Sequence, residues 1–268
     1  MKDDNRTDID IQEIIRIVKQ TNALFHHEEN RRCTVKKGDR DFVTKVDFSV
    51  QEFLWTELGS RFPDIQFLSE EKDNRDVDFS RPYWILDPVD GTTNLIYDFR
   101  FSAVSLALCA GGDELAAGVI YQPYSDELFH AVCGQGAWLN DQPIHVGTAA
   151  TMEESLVILG TNPYDRSRAK QDFDVYEKIF EAACEIRILG SAALDLAYVA
   201  CGRADAFLER HLKPHDFAAG VLLIREAGGK VTDFSGVDVA IAQSGDLLTA
   251  NEAIWRKMFE AYAPLLRA

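Results

Sequence analysis

No stretch of this 268-residue chain is apolar for long enough to cross a bilayer as a helix. The first ten residues, MKDDNRTDID, lack the apolar core of a secretory signal. Basic residues are in short supply: 28 Lys and Arg stand against 44 Asp and Glu, a formal net charge of −16 with a pI of about 4.8. A phosphate backbone or an anionic membrane needs a basic footprint, so neither a nucleic acid polymer nor a membrane is expected as a partner. The excess acid suits solubility. It also sets a condition on chemistry, because an anionic substrate would need bound cations or a local basic group.

Five cysteines, an odd number, include no CxxC pair. A disulfide framework is not expected in so long a chain, and a reducing cytoplasm fits best. Cys109 and Cys133 sit in apolar runs and read as buried small hydrophobes. There is no GxxxxGK[ST] phosphate loop, and GQGAW at 134–138 is followed by LNDQP, not by a dinucleotide-binding helix. His211 and His215 are four apart with Pro214 between them, which spoils a helical zinc pair. No nucleophile elbow or triad is recognisable.

What is there is ordinary globular material, 46% hydrophobic and 27% charged. Helical spacing of Ile11, Ile14, Ile15, Val18 and Leu24 predicts a helix over 8–29. A loop or hairpin follows around Gly38, then a helix marked by Val50, Phe53, Leu54 and Leu58 that stops before Pro63. IQFLS and YWIL are short strands ending in acid, and 101–109 and 115–121 pair around GGDE, with a meander continuing to about 144. After about residue 150 strands and helices alternate: strands at 156–160, EIRIL, ADAFLE and 247–250, helices at 171–183, 191–201, 216–227 and 251–265. The expectation is one unit with an α+β half over 1–150, mostly antiparallel, and an α/β half over 151–268.

The informative stretch is WILDPVDGTTN at 84–94. A strand of large apolar residues runs directly into Asp87 and Asp90. Asp at the first and Pro at the second position predict a type I turn that brings the two carboxylates together. At about 4 Å and an effective dielectric of 20 they would repel by roughly 4 kcal/mol, so either a proton or a cation must lie between them. Gly91 lets backbone approach closely, and Thr92, Thr93 and Asn94 read as helix N-caps able to present N–H groups to phosphate oxygens. The plainer reading is an acidic turn capping a helix. Glu70, in SEEKDN, also fits a surface loop; Asp47 and Asp216 also fit N-caps; Glu209 also fits an ion pair with Arg210 or Lys213.

WILDPVDGTTN resembles the first signature of the inositol monophosphatase family, magnesium-dependent and lithium-sensitive sugar phosphatases. HDFAAGVLLIREAGG at 215–229 is similar to the second, and DFVTKVD at 41–47, SEE at 69–71 and GSAALDLAYVACGRADAFLE at 190–209 follow in the family's order. The resemblance implies a layered αβαβα sugar-phosphatase fold and a homodimer. It implies one Mg2+ held by Glu70, Asp87 and the carbonyl of Val89, and a second held by Asp87, Asp90 and Asp216. A weaker third ion would use Glu70 and water. Thr92 and Asp47 would activate the attacking water, and the backbone of Gly91 and Thr92, beside Asp90, would bind phosphate. Gly190, Ser191, Ala192 and Glu209 would contact the sugar or inositol ring.

The chain departs from the family in two places: His215 stands where Trp is common, and SEE replaces GEE. The substrate implied is inositol monophosphate or a similar small phosphorylated metabolite. Fructose-1,6-bisphosphate, histidinol phosphate, 3′-phosphoadenosine phosphates and the 2′-phosphate of NADP are the alternatives, as is a catalytically silent metal-binding regulator. Lys213 and His215 either face solvent and neighbouring acids or meet a second anionic group on the substrate.

Overall fold

The structure, a computed structural model, describes residues 10–26, 34–38, 41–70, 74–163 and 165–267. Its organising element is strand β4 (Tyr83–Asp90), in which all eight residues are buried. Such a strand is covered on both faces, and its alternating side chains sort accordingly. Trp84 and Leu86 point into one core, Tyr83 and Ile85 into another. β4 lies second in a seven-stranded sheet, between β3 (Gln66–Ser69) and β5 (Ala103–Cys109), followed by β6 (Leu115–Gln122), β7 (Glu127–Val132), β8 (Ala137–Leu139) and β9 (Gln142–Ile144). Only the β3–β4 pairing is parallel; the rest of the sheet is an antiparallel meander. A small hairpin, β1 (Thr34–Gly38) with β2 (Asp41–Thr44), precedes it.

One face of this sheet packs on α1 (Ile11–Lys19) and α3 (Lys45–Arg61), through Ile14, Val18, Val50 and Leu54. The other face packs on α6 (Ala192–Ala200) and α7 (Pro214–Glu226), through Leu194, Leu196, Phe217 and Val221. Those helices are covered in turn by a five-stranded sheet ordered β11 (Glu185–Arg187), β10 (Leu156–Leu159), β12 (Ala206–Leu212), β14 (Gly245–Ala250) and β13 (Lys230–Thr232). Its far face packs on α5 (Ala169–Ala182) and α8 (Glu252–Ala261), with Val157, Leu208, Tyr176, Ile254 and Met258 in the third core. The layers therefore run α, β, α, β, α, as the resemblance implied, with an antiparallel first half and an alternating second half. Among the described residues no helix is long and apolar enough to cross a membrane.

Several local expectations are corrected. The helix expected over 8–29 is two pieces, α1 and α2 (Asn22–Phe25), and the ends of that range lie outside the described residues. The break falls where the Thr21 hydroxyl donates to the Val18 carbonyl at 2.7 Å, offering the backbone a local alternative to the helical ladder. The C-terminal helix is likewise split into α8 and α9 (Ala263–Arg267), because Pro264 has no N–H to donate. Cys109 is buried as expected, but Cys133 is exposed, since it lies past the end of β7 at a turn. Cys33 is outside the described residues. Residues 87–90 form no isolated turn. β4 continues to Asp90, and its pairing with β5 steps from Asp87 opposite Ser105 to Asp90 opposite Ala103, one extra residue on β4. Pro88 sits in that bulge, where no ladder N–H is required of it.

The central layer is held tightly against the first sheet. A Cβ at Gly118, on β6, would lie 3.0 Å from the Ala219 carbonyl oxygen and 3.1 Å from its Cα, both backbone atoms of α7. Gly118→Val should therefore push α7 off the sheet and destabilise the protein by about 1–3 kcal/mol. Urea unfolding followed by circular dichroism measures this. An unchanged midpoint would contradict the close approach.

Candidate functional site

The bulge turns the end of β4 into a cleft of about 260 Å3, lined among others by Glu70, Asp87, Val89, Asp90, Gly91, Thr92, Glu209 and Asp216. Glu70 arrives directly after β3, with its N–H donating to the Leu86 carbonyl of β4 at 3.3 Å. Asp216 arrives from the first turn of α7. Ligand atoms of Asp87, Asp90 and Asp216 lie within 4.8 Å of one another, and so do those of Glu70, Asp87 and His215. Asp87 belongs to both groups.

Each aspartate is anchored through one oxygen. Asp87 Oδ1 accepts the Val89 N–H at 2.9 Å. Asp90 Oδ2 accepts the Ala193 N–H at 2.8 Å and the Ser191 hydroxyl, closing the start of α6 from outside. Asp216 Oδ2 accepts the Lys213 N–H at 2.6 Å. Asp47 is not the N-cap of α3 but its third helical residue. Its Oδ2 accepts both the N–H and the hydroxyl of the N-cap Thr44, at 2.8 and 2.6 Å, while Thr44 accepts the Val46 N–H. The remaining oxygen, Oδ1, faces the Thr92 hydroxyl at 3.1 Å. Capping and site chemistry are thus not alternatives for Asp47 and Asp216, because the two carboxylate oxygens serve them separately.

The Thr92 hydroxyl lies 3.0 Å from the Val89 carbonyl as well, so its single proton goes to one of two acceptors. Thr92 opens a short helix, α4 (Thr92–Ile96), whose N-cap is Gly91 at φ +86. A Cβ at Gly91 would lie 3.0 Å from the Phe101 oxygen and 3.2 Å from the Gly190 oxygen. Only glycine fits both that conformation and that approach. Asn94 does not cap α4. Its amide nitrogen donates to the Phe101 and Leu189 carbonyls at 2.9 and 2.7 Å, fastening the 189–191 loop beside the end of β4.

The other expected residues take distinct places. Gly190, Ala192 and Glu209 line the cleft, whereas Asp47 and Ser191 lie behind it, each bonded to a residue that lines it. Glu209 is accommodated by Gly160, where a Cβ would overlap its side chain. Gly160 is itself held by its N–H to the Leu208 carbonyl at 2.8 Å and by the Tyr176 hydroxyl on its own carbonyl at 2.7 Å. Glu71, the last residue of the SEE segment, is outside the described residues. Lys213 is exposed, and His215 is buried with a ring nitrogen within 4.8 Å of carboxylate oxygens of Glu70 and Asp87.

Burial without cations raises these carboxyls. Loss of hydration, then the charges of Glu70, Asp90 and Asp216, hold Asp87 well above the usual carboxylate range. Loss of hydration and the Asp216 charge push Asp90 up to about 7, against the pull of its bonds from Ser191 and Ala193. Loss of hydration takes Asp216 to about 7 and Asp47 to about 6. Burial, followed by the charges of Asp195, Asp216 and Asp90, raises Glu209 well above its ordinary value. Asp195, on α6, is buried with Oδ1 unbonded among the described residues, a feature its apolar surroundings in the sequence did not signal. A cluster of hard oxygen donors that would otherwise have to hold protons fits a divalent cation.

The family model for the inositol monophosphatase family matches residues 3–268. The chain is 35% identical over 258 residues to an inositol-1-monophosphatase of Mesorhizobium japonicum, covering 96% of each. It is 41% identical over 219 residues to the Nus factor SuhB of Xylella fastidiosa, covering 81% of this chain and 78% of that one. In structure it is similar to an IMPase of Thermotoga maritima, with a TM-score of 0.86 and 30% identity over 96% of this chain and 98% of that one.

The raised carboxyls set the pH response of the metal-free protein. Groups at about 6 to 7 in the folded state hold protons that the unfolded chain has released, so their contribution to stability is full below about pH 4 and is lost as pH rises through about 7. A divalent cation relieves that loss. Its stabilisation, read as the melting-temperature difference with and without EDTA, should be larger at about pH 8 than at about pH 5. Asp90→Asn should reduce the pH dependence of the metal-free protein. A cation effect independent of pH would contradict the assignment.

Proposed function

Because the chain belongs to the inositol monophosphatase family, we propose that it is a Mg2+-dependent phosphomonoesterase that hydrolyses inositol monophosphate or a similar small sugar phosphate. The carrying observation is the pair of acidic groups joined by Asp87 at the floor of a cleft, directly beside the Thr92–Asp47 pair. Glu70, Asp87, the Val89 carbonyl, Asp90 and Asp216 would hold Mg2+. Bound there, Mg2+ supplies the positive charge that lets a phosphate dianion enter an acidic cleft and that stabilises the attacking and leaving oxygens.

The chain's own residues do the rest. Thr92 gives its hydroxyl proton to Asp47 Oδ1, which leaves its oxygen lone pair to accept a proton of the attacking water and fix its direction. Asp47, whose carboxyl is raised by burial to about 6, is where the relayed proton ends: the water passes one to Thr92 as Thr92 passes its own to Asp47. The Gly91 and Thr92 N–H groups orient the phosphoryl oxygens. Glu209, Gly190 and Ala192 read the hydroxyls of the leaving alcohol, and Ser191 steadies Asp90 from behind.

The sequence resemblance further supports lithium inhibition and a homodimer, and the cysteine pattern supports a cytoplasmic setting. A silent regulatory protein would have no use for the Thr92–Asp47 pair, and that pair favours catalysis. A phosphate-release panel covering inositol monophosphate, fructose-1,6-bisphosphate, histidinol phosphate, 3′-phosphoadenosine phosphates and NADP selects among the substrates.

Activity should require added Mg2+ and disappear in EDTA; turnover that persists in EDTA would sink the mechanism. Thr92→Val and Asp47→Asn should lower kcat by about 10²–10⁴-fold. Thr92→Val should nevertheless keep its Mg2+-induced rise in melting temperature, since Thr92 holds no cation. A near-wild-type kcat in either variant would remove the pair from the chemistry.

A further inference from the structure

The two groups that share Asp87 differ in chemistry, and Glu70 and Asp87 line the cleft with His215 buried beside them. Asp87, Asp90 and Asp216 offer oxygen alone, whereas Glu70, Asp87 and His215 offer two carboxylate oxygens and an imidazole nitrogen within 4.8 Å of one another. His215 is fixed where it is. It is the second residue of α7, only 9% exposed, and its carbonyl accepts the Ser105 hydroxyl of β5 at 3.1 Å. Mg2+ prefers oxygen donors in near-octahedral array and keeps its waters. Imidazole suits Zn2+, Cu2+, Fe2+ and Ni2+, whereas Mn2+ shares the preference of Mg2+ for carboxylate, carbonyl and water oxygens.

We propose that Glu70, Asp87 and His215 form a mixed oxygen–nitrogen subsite that selects an imidazole-binding transition dication, with Zn2+ as its type, over Mg2+. The Asp87–Asp90–Asp216 subsite remains an oxygen-only Mg2+ position. The inference rests on the reading of two cation subsites above and adds to it which ion the first one takes. The competing role for His215 is orientation of Asp216, whose Oδ1 lies 3.6 Å from its Nε2. That role would weaken all divalent ions alike.

The test uses the full-length protein stripped of metal, as wild type, His215→Asn and His215→Phe, each checked for folding by circular dichroism. Zn2+ and Mg2+ are titrated by calorimetry, and Co2+ by its visible d–d absorption, so no readout depends on turnover. The wild type should bind one Zn2+ at least about tenfold more tightly than Mg2+, and its Co2+ spectrum should carry the signature of nitrogen ligation. A folded variant should lose Zn2+ and Co2+ affinity by at least about tenfold, the scale on which even outer-sphere partners of a metal act. Its Mg2+ affinity should stay within about threefold. Equal losses for Zn2+ and Mg2+, no loss in a folded variant, or no Zn2+ preference in the wild type would each overturn the inference while leaving the phosphatase reading in place. Failure of the wild type to bind any of the three ions would overturn both.

Discussion

Buried carboxylates set side by side repel, and the site depends on how the fold holds Asp87, Asp90 and Asp216 together against that repulsion. Each is tied by one oxygen to a backbone N–H, from Val89, Ala193 and Lys213 respectively. Hydrogen bonds to the charged form favour ionisation, and burial and neighbouring charge oppose it. The balance leaves Asp90 and Asp216 near 7, poised between holding a proton and holding a cation. The second oxygen of each carboxylate remains for the cleft. Because the anchoring N–H groups belong to a strand bulge and to the first turns of two helices, the ligand geometry is fixed by secondary structure and not by flexible loops.

The same anchors explain why the three central layers and the site are one construction. α6 and α7 are sandwiched between both sheets, and the first turn of each meets an aspartate of the cleft. Asn94 adds a tether from α4 to the 189–191 loop. Gly91 and Gly160 are places where a missing side chain lets two segments meet, one at the start of α4 and one beside Glu209.

Much of this is legible along the chain. β4 announces itself as an uninterrupted apolar run because both of its faces are buried, and Asp87 and Asp90 stand out because acid ending such a strand demands a counter-charge. The five-layer order is another matter, carried by the resemblance and not by periodicity. What stayed hidden depends on approach in space. Helical spacing in 8–29 does not show that Thr21 diverts the backbone. An apolar run does not show that Cys133 lies past its end. Asp47 and Asp216 look like N-caps because both roles draw on the same residue type at helix starts, and only coordinates separate the third helical position from the cap. Asn94 reads as a cap because its carbonyl partners are far along the chain. For His215 the one available signal was a histidine preceding an acid at a helix start; its neighbours Glu70 and Asp87 are 145 and 128 positions earlier.

Those separations bear on how the molecule comes into being. Asp90 is capped by residues 101 and 103 positions ahead of it, and closing loops of that length carries an entropic penalty before any contact rewards it. A chain emerging from its N-terminus can complete the first helix pair and much of the seven-stranded sheet while α7 is still unmade. At that stage Asp87 and Asp90 end a strand without Asp216, Asp90 lacks its helical N–H partner Ala193, and the strand face destined for α6 and α7 is bare. The acidic cluster is therefore complete only once α7 has been made, and ion binding would mark a chain folded through that helix.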